Sequence, residues 1–381
     1  MREPVELRRQ RILAVVQSRG ATRVSDLAAE LEVSVVTLRR DVEELAREGR
    51  LRRGHGVARP VLPETERPAV PAPAGPPQAD GGPVALVVPE RHAYLNEALH
   101  GARTAFEEAG VRIALHIAPS APGAEQSLVE RALAEGARGL LVAPRWLTRA
   151  AEEADYAWLA RVEVPAVVME RRPRRGSALH AVDTVCTDHW YGIHLAVAHL
   201  TGLGHRRIVL AARDDSPTAR ALRTAFAEIA AGHSGVDKWA IALSSAGAAD
   251  AGAEHPEEPV RLPELLSELG ATAAVLHGDV DALMLVQTLR DNGVRVPEDC
   301  SVIAYDDVVA ALGSTPLTAV SPPKADVGRA AAELLLRRLG DPARGRSGGP
   351  VRRVELLPTL EVRGSTRAPA TPAAPTTRAT T

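Results

Sequence analysis

Polar side chains suited to holding a small ligand recur directly after short apolar runs. Glu170-Arg171 follows Val-Val-Met, Asp279 follows a run ending in Leu276, and Asp306 follows Val-Ile-Ala-Tyr. A carboxylate can accept two hydrogen bonds and a guanidinium can donate two, so this set suits a hydroxyl-rich or anionic ligand. Further candidates at comparable places are Tyr94, Asp188, Trp190 and Arg220. Because Asp and Ser before a helix are common helix caps, a capping role stays open for each loop residue.

A second group of candidates lies near the N-terminus. An apolar stripe of Val35, Leu38, Val42 and Leu45 predicts a helix with one buried face. The candidates for DNA contact lie off this stripe or in the segment that follows: Ser34, Val36, Thr37, Arg39, Arg40, Arg53 and His55. Guanidinium groups and hydroxyls on the exposed face of such a helix can contact base edges in the major groove. A protein-interaction or dimerisation domain with solvated arginines is the alternative.

Charge is distributed unevenly along the chain. Residues 1–59 carry 13 Arg against 9 acidic residues, whereas the remainder carries 33 basic and 39 acidic residues. A basic N-terminal part on an acidic body suits a protein that approaches nucleic acid with its N-terminal end.

Catalytic motifs are missing from the sequence. We find no P-loop, no Gly-x-Ser-x-Gly, no HExxH and no nucleophile–base spacing, so we expect neither an enzyme nor a bound cofactor or metal. Cys186 and Cys300 do not form a disulfide framework. The chain has no apolar run of about 18 residues and no secretory signal at its N-terminus, so we expect a cytoplasmic protein without a membrane partner.

Four segments follow from composition and periodicity. Residues 1–59 predict a winged helix-turn-helix, with three short helices and a two-stranded wing at 51–58. Residues 60–82 contain seven prolines and predict an extended linker. Residues 83–366 alternate short β-branched runs with helical stretches, which predicts an α/β fold with doubly wound parallel sheets. Residues 367–381 predict a disordered tail. The strands predicted in the third segment are 84–88, 111–117, 139–143, 166–169, 207–211, 240–243, 273–276, 301–304 and 317–320.

The N-terminal segment resembles the DeoR-type winged helix. The resemblance rests on Arg-Arg-Gln-Arg-Ile-Leu at 8–13, Val-Ser-Asp-Leu-Ala-Ala-Glu-Leu at 24–31, Val-Ser-Val-Val-Thr-Leu-Arg-Arg-Asp at 33–41 and Gly-His-Gly at 54–56. It implies binding to double-stranded operator DNA. Val36 stands where the family often has a longer side chain, so the sequence preference of the family does not transfer.

The long C-terminal segment resembles the effector domain of LacI/GalR-family regulators, which is similar to periplasmic sugar-binding proteins. The matching runs are Gly-His-Arg-Arg-Ile at 204–208, Asp-Ser-Pro-Thr-Ala-Arg at 215–220, the run from 293 to Tyr305-Asp-Asp307, and 328–336. The resemblance implies two α/β lobes that close on a ligand contacted by Tyr94, Glu170, Arg171, Asp188, Arg220, Asp279 and Asp306. Glu170 replaces Asp, His189 replaces Asn, and Gly278 stands where the family often has Asn, so the ligand of the family does not transfer either.

Together these features predict a transcriptional repressor that binds operator DNA as a homodimer under the control of a carbohydrate-like effector. A metabolite-binding protein without a role on DNA is the alternative. A transport protein would share the second domain but needs export. Because residues 60–82 are too proline-rich for a hinge helix, we expect the effector to change the spacing of the heads through the geometry of the dimer.

Overall fold

The computed structural model describes residues 8, 9, 12, 22–24, 27, 28, 33–47, 50–54, 57–60, 81–90, 93–119, 121, 123–146, 156–244, 261–340 and 349–370. The chain divides into two compact units, Met1–Gly75 and Pro76–Thr381. We call the first unit the head and the second the sensor, and describe each by itself.

The head is built around one helix and a small antiparallel sheet. Helix α1, Val35–Arg47, buries Leu38, Val42 and Leu45 against a core whose other members include Ile12 and Leu27. This confirms three positions of the predicted stripe; the side chain of Val35 lies outside the described residues. The described strands pair in the order β1-β3-β2. They are β1 (Thr22–Arg23), β2 (Leu51–Gly54) and β3 (Val57–Pro60).

The sensor contains two six-stranded sheets, one in each lobe. The first lobe has the strand order β14-β8-β7-β6-β4-β5 and is parallel throughout. Its strands are β4 (Val84–Pro89), β5 (Ile113–Ala118), β6 (Gly139–Val142), β7 (Ala166–Met169), β8 (Asp183–Thr187) and β14 (Arg353–Leu356). Separate apolar clusters cover its two faces, as a doubly wound sheet requires.

The second lobe has the order β10-β9-β11-β12-β13-β15, and only the edge strand β15 is antiparallel. Its strands are β9 (Arg207–Ala212), β10 (Lys238–Leu243), β11 (Ala273–His277), β12 (Ser301–Tyr305), β13 (Thr318–Ser321) and β15 (Thr359–Glu361). It too carries an apolar cluster on each face.

Helices flank both sheets, and the chain crosses between the lobes three times. The sensor helices are α2 (Ala93–Glu108), α3 (Ala124–Ala134), α4 (His189–Gly202), α5 (Pro217–Gly232), α6 (Leu262–Leu269), α7 (Asp279–Asp291) and α8 (Lys324–Leu339). Short 3₁₀ turns occupy Leu159–Arg161, Ala178–Ala181 and Ala310–Leu312. The crossings follow β8, β13 and β14, so α8 returns to the first lobe and packs beside α2.

Helices α2 and α8 approach each other through two glycines. A Cβ on Gly101 would lie 1.9 Å from the Ala325 carbonyl oxygen, and one on Gly328 would lie 1.8 Å from that of Ala98. Neither gap admits a methyl group, because main-chain atoms cannot move aside as a flexible side chain can.

The α/β fold with two doubly wound lobes is confirmed, and all nine predicted sensor strands occur within a few residues of their predicted bounds. Three strands were missed: β8, β14 and β15. Two boundaries also differ. Pro60, assigned to the linker, ends β3. Arg367, assigned to the tail, is bound to the sensor, since its amide donates to Ser301 Oγ at 3.0 Å. Residues 61–80 of the linker and 371–381 of the tail lie outside the described residues.

No helix in the described part of the chain is long and apolar enough to cross a membrane. Both cysteines are buried free thiols.

Candidate functional site

Three candidate residues of the head have described side chains at or near the start of α1: Ser34, Thr37 and Arg40. Ser34 caps the helix, since the Thr37 amide donates to its Oγ at 3.1 Å and the two hydroxyls lie 2.8 Å apart. Arg40 is exposed one turn later. The side chains of Val36, Arg39 and Arg53, and the whole of His55, lie outside the described residues.

A buried acid that sequence analysis missed connects α1 to the N-terminal segment. Asp41 accepts from Arg8 Nε at 2.6 Å and from Arg9 Nε at 3.3 Å. Asp41 is 4 % exposed, so its ion pairs with the two arginines connect the N-terminal segment to α1 in a partly desolvated environment. The clue in the sequence was an acid placed among the apolar positions of the helix.

Asp306 is the most unusual candidate in the sensor. It follows β12 with φ at 98°, a left-handed conformation that few residues other than glycine adopt. Its side chain is 17 % exposed and makes no hydrogen bond to any described residue; His277 Nε2 lies 4.0 Å away. Burial and the charge of Asp279 raise the pKa of this carboxyl to about 7, against the effect of Lys324. A strained, partly buried acid that makes no hydrogen bond to the described residues is typical of a ligand site.

Asp279 binds main-chain amides of the loop that follows β12. Its Oδ2 accepts from three successive amides, those of Val308, Val309 and Ala310. We predicted that Asp279 contacts the ligand, with a helix cap as the alternative, but this oxygen holds the segment that follows Asp306-Asp307. Asp279 therefore positions the Asp306 loop.

Glu170, Tyr94 and Thr187 form a buried cluster in the first lobe. Tyr94 donates to Glu170 Oε1 at 2.8 Å, and Thr187 Oγ1 donates to the same oxygen at 2.9 Å. Burial raises the pKa of Glu170. Burial and the charges of Glu170 and Asp306 also raise the pKa of Tyr94, which places Asp306 near this cluster. Thr187 escaped prediction because it ends β8, a strand that was itself missed.

Two arginines in the region bind main-chain oxygens. Arg171 donates from Nη1 to the Glu170 carbonyl at 2.6 Å and from Nε to the Pro144 carbonyl. Arg220, on α5 in the second lobe, donates to the Trp146 carbonyl of the first lobe at 2.7 Å. Arg220 therefore links the two lobes.

The remaining candidates lie at the start of α4. Asp188 caps the helix by accepting from the Tyr191 amide at 3.0 Å, which is the capping role left open above. Trp190 is 42 % exposed and stacks on His194 with 5.7 Å between ring centroids. His189 Nδ1 lies 2.9 Å from the Tyr305 hydroxyl, and burial lowers the pKa of His189 to about 3.

A cavity of about 310 Å³ lies where the lobes meet. Four of the predicted residues line it: Glu170, Arg171, Trp190 and Arg220. Tyr94, Asp188, Asp279 and Asp306 are not among its described lining residues, although Glu170 belongs both to the cavity and to the cluster near Asp306. Within the described residues no group of His, Cys, Asp and Glu could hold a metal ion.

Lys324 is a further residue that sequence analysis did not select. It is 4 % exposed, its Nζ lies 5.7 Å from the centroid of the Tyr94 ring, and its charge acts on Asp306. It is one of two lysines in the chain. The clue in the sequence was that a lysine stands in a chain whose other basic residues are almost all arginine.

Comparison with known proteins identifies both units. Residues 8–62 match the DeoR-like helix-turn-helix domain, and residues 197–366 match the periplasmic binding protein-like domain. Over 364 residues the chain is 26% identical to the arabinose metabolism transcriptional repressor of Geobacillus stearothermophilus, covering 90% of each chain. The chain is a bacterial transcriptional regulator.

Other relatives cover less of the regulator. It is 30% identical to the transcriptional repressor PurR of Haemophilus influenzae over 209 residues, which is 54% of the regulator and 58% of PurR. A LacI-family regulator from Mycobacterium smegmatis superposes with a TM-score of 0.58 at 25% identity, covering 75% of the regulator and all of the neighbour. The lac repressor dimer bound to operator superposes with a TM-score of 0.60 at 20% identity, covering 76% and 96%, and supports the fold.

Proposed function

We propose that the regulator is a cytoplasmic repressor whose affinity for operator DNA is set by a small polar metabolite bound between the lobes of its sensor. The carboxylate of Asp306, strained and without a hydrogen-bond partner among the described residues, is the observation that carries this proposal. A ligand hydroxyl or amine that donates to Asp306 compensates the carboxylate for its lost hydration. No catalytic step is part of this role.

The arrangement around Asp306 explains how such a ligand would act. Asp306 belongs to the second lobe, whereas Tyr94 and Glu170 belong to the first, and the charges of Asp306 and Glu170 both act on Tyr94. A ligand that bonds to both sides binds more tightly to one relative placement of the lobes than to others. Such a difference in affinity is the free energy by which an effector shifts a conformational equilibrium.

The decisive experiment compares DNA binding with and without effectors in Asp306→Asn. Binding to DNA from upstream of the regulator's own gene is measured by fluorescence anisotropy, with L-arabinose, other pentoses, hexoses and nucleobases added singly. We expect one class to change the wild-type affinity, and the variant to bind DNA normally without responding. Asp291→Asn, on α7, is the control and should respond as the wild type. A full response in Asp306→Asn would contradict the proposal, and a ligand response without any DNA binding would favour the metabolite-binding alternative.

For the head we propose that α1 enters the major groove, with Ser34, Val36, Thr37, Arg39 and Arg40 on the DNA side and Arg53 and His55 on the wing. Arg40→Ala should weaken operator binding by roughly 1–3 kcal/mol if its guanidinium contacts a base. Arg47→Ala removes the same charge from the same helix, where Arg47 pairs with Glu44, and serves as the control. Equal losses of DNA affinity in the two variants at several salt concentrations would show that Arg40 contributes only its positive charge and no contact to a base.

We also propose that the regulator is a homodimer that pairs through the first lobe. Among the described strands β5 lies at the edge of its sheet, and its Leu115 and Ile117 are 53 % and 58 % exposed. Arg103 and Glu107, which pair with each other on α2 at 2.6 Å, line the neighbouring groove together with Leu115. In a two-fold pair each Arg103 can face the partner's Glu107, because an isologous interface must be complementary to itself.

A further inference from the structure

Arg171 has donors that the protein does not use. It is 6 % exposed, and its two hydrogen bonds within the described residues, to the carbonyls of Pro144 and Glu170, use Nε and Nη1. Nη2 has no hydrogen-bond partner, and no carboxylate lies within ion-pair distance of the guanidinium, among the residues that the structure describes. A buried guanidinium is costly unless an anion accompanies it.

The nearest carboxylate is already engaged elsewhere. Both oxygens of Glu170 accept from other groups, Oε1 from Tyr94 and Thr187, and Oε2 from the Thr187 amide at 3.4 Å. Arg172, next along the chain, pairs with Glu355. Burial lowers the pKa of Arg171, and the charge of Glu170 opposes this effect only in part.

Arg171 lines a cavity whose volume fits a metabolite. Arg171, Arg172 and Arg220 all line the 310 Å³ cavity, and Trp190 forms part of its wall. A cavity of this size suits a small ligand. Pro217, Ala221 and Ala225 add apolar surface, and Glu228 is an exposed acid of the lining. The cavity thus combines a ring face with the guanidinium group of Arg171.

We propose that this cavity holds an anionic metabolite, whose phosphate or carboxylate is bound by Arg171 and whose nonpolar face lies against Trp190. The inference rests on the proposed function, because it names the chemical class of the effector. Arg171 would present the planar fork with which arginine binds such anions, with Arg220 as the second cation. The rest of the ligand would extend past Glu170 towards Asp306, which accepts from its hydroxyls.

The test uses anions of known structure on the full-length protein. Inorganic phosphate, D-gluconate and D-glucose 6-phosphate are compared with D-glucose and with chloride at equal ionic strength. Melting temperature and tryptophan emission are both recorded. We expect the phosphate ester to raise the melting temperature and to change the emission, inorganic phosphate to do so more weakly, and chloride to do neither. If none of the three anions exceeds chloride, the proposal is wrong.

Variants then locate the anion. Arg171→Gln should weaken binding of the phosphate ester at least roughly ten-fold, which corresponds to about 1.4 kcal/mol. Arg329→Gln removes a surface arginine that pairs with Glu108 and is the control. Trp190→Phe should abolish the emission change while the thermal shift remains. If Arg171→Gln does not fold, Arg220→Gln gives the same comparison, and unchanged affinity in the folded variant contradicts the assignment.

Failure of this inference and failure of the proposed function give different results. If a neutral sugar releases the DNA and the anions do not bind, the repressor role stands and the anion site is wrong. If the phosphate ester binds through Arg171 and DNA binding does not change, the anion site stands and effector control is wrong.

Discussion

At the scale of single residues, the pH dependence of the stability of the unliganded sensor depends on Asp306. Its carboxyl has a pKa of about 7 in the folded protein, against about 3.9 for an aspartate in an unfolded chain. Because the folded-state pKa is raised, stability is fully present at low pH and is lost as the pH rises from about 4 to about 7. A ligand that donates to the carboxylate opposes this loss.

Asp306→Asn should therefore stabilise the unliganded protein at neutral and higher pH. We expect a gain of roughly 2–4 kcal/mol at pH 8, falling to roughly half or less at pH 5, because the amide has no charge to desolvate. Asparagine also tolerates a positive φ better than most residues. Urea denaturation of the wild type and the variant at both pH values measures the difference, with Asp291→Asn as the control. A variant less stable than the wild type at pH 8 would show that Asp306 has a native partner.

Residue roles were predictable from the sequence only in part. The position of Asp306 after a strand made it a candidate from the sequence. Whether its carboxylate accepts a hydrogen bond depends on which neighbouring donors are bound to other groups, and the fold decides that. Asp279 looks equivalent in sequence, yet its carboxylate is bound by three amides 29 to 31 residues away. Asp188 is a cap. The sequence shows that a carboxylate is present, whereas the fold decides whether its oxygens are available.

At the scale of helices and strands, the contact between α2 and α8 requires glycine at the points of closest approach, and this requirement can be tested. Gly328→Ala should destabilise the sensor by more than about 2 kcal/mol, since its Cβ would overlap the Ala98 carbonyl and force the helices apart. Gly202→Ala, at the end of α4, has no atom within 4 Å of the added Cβ and is the control. That change should be neutral or stabilise by up to about 1 kcal/mol. Thermal unfolding with both variants tests this, and equal effects would mean that the helices can move apart freely.

Strands with continuous apolar runs were predictable, and the others were not. Buried strands β4 and β6 are apolar along their length, and β11 and β12 are apolar except at His277 and Ser301, as expected where both faces of a parallel sheet are covered. The three missed strands are β8, with Asp and two Thr, and two strands after residue 350. Arg353–Leu356 and Thr359–Glu361 lie at sheet edges and alternate exposed with half-buried residues, so their sequences resemble loops.

At the scale of the whole molecule, the proposed homodimer depends on the exposed edge of the first lobe. Leu115→Asp should convert the dimer to monomer, because two carboxylates would then be buried close to the two-fold axis. DNA binding should weaken as well, since one head covers only half a site. Sedimentation velocity measures the mass. Val362→Asp, at a position 61 % exposed in the second lobe, is the control and should stay dimeric. A dimeric Leu115→Asp would move the interface elsewhere.

The three crossings between the lobes have a consequence for synthesis on the ribosome. The first lobe needs α8 and β14, and the second needs β15 and the Arg367 carbonyl that contacts His205. A nascent chain that has emerged only as far as β13 therefore exposes the apolar surface that α8 later covers. The head can complete its core long before either lobe, whereas the lobes must mature together after residue 350 has emerged. During that interval the growing chain is a natural client for chaperones that bind apolar segments.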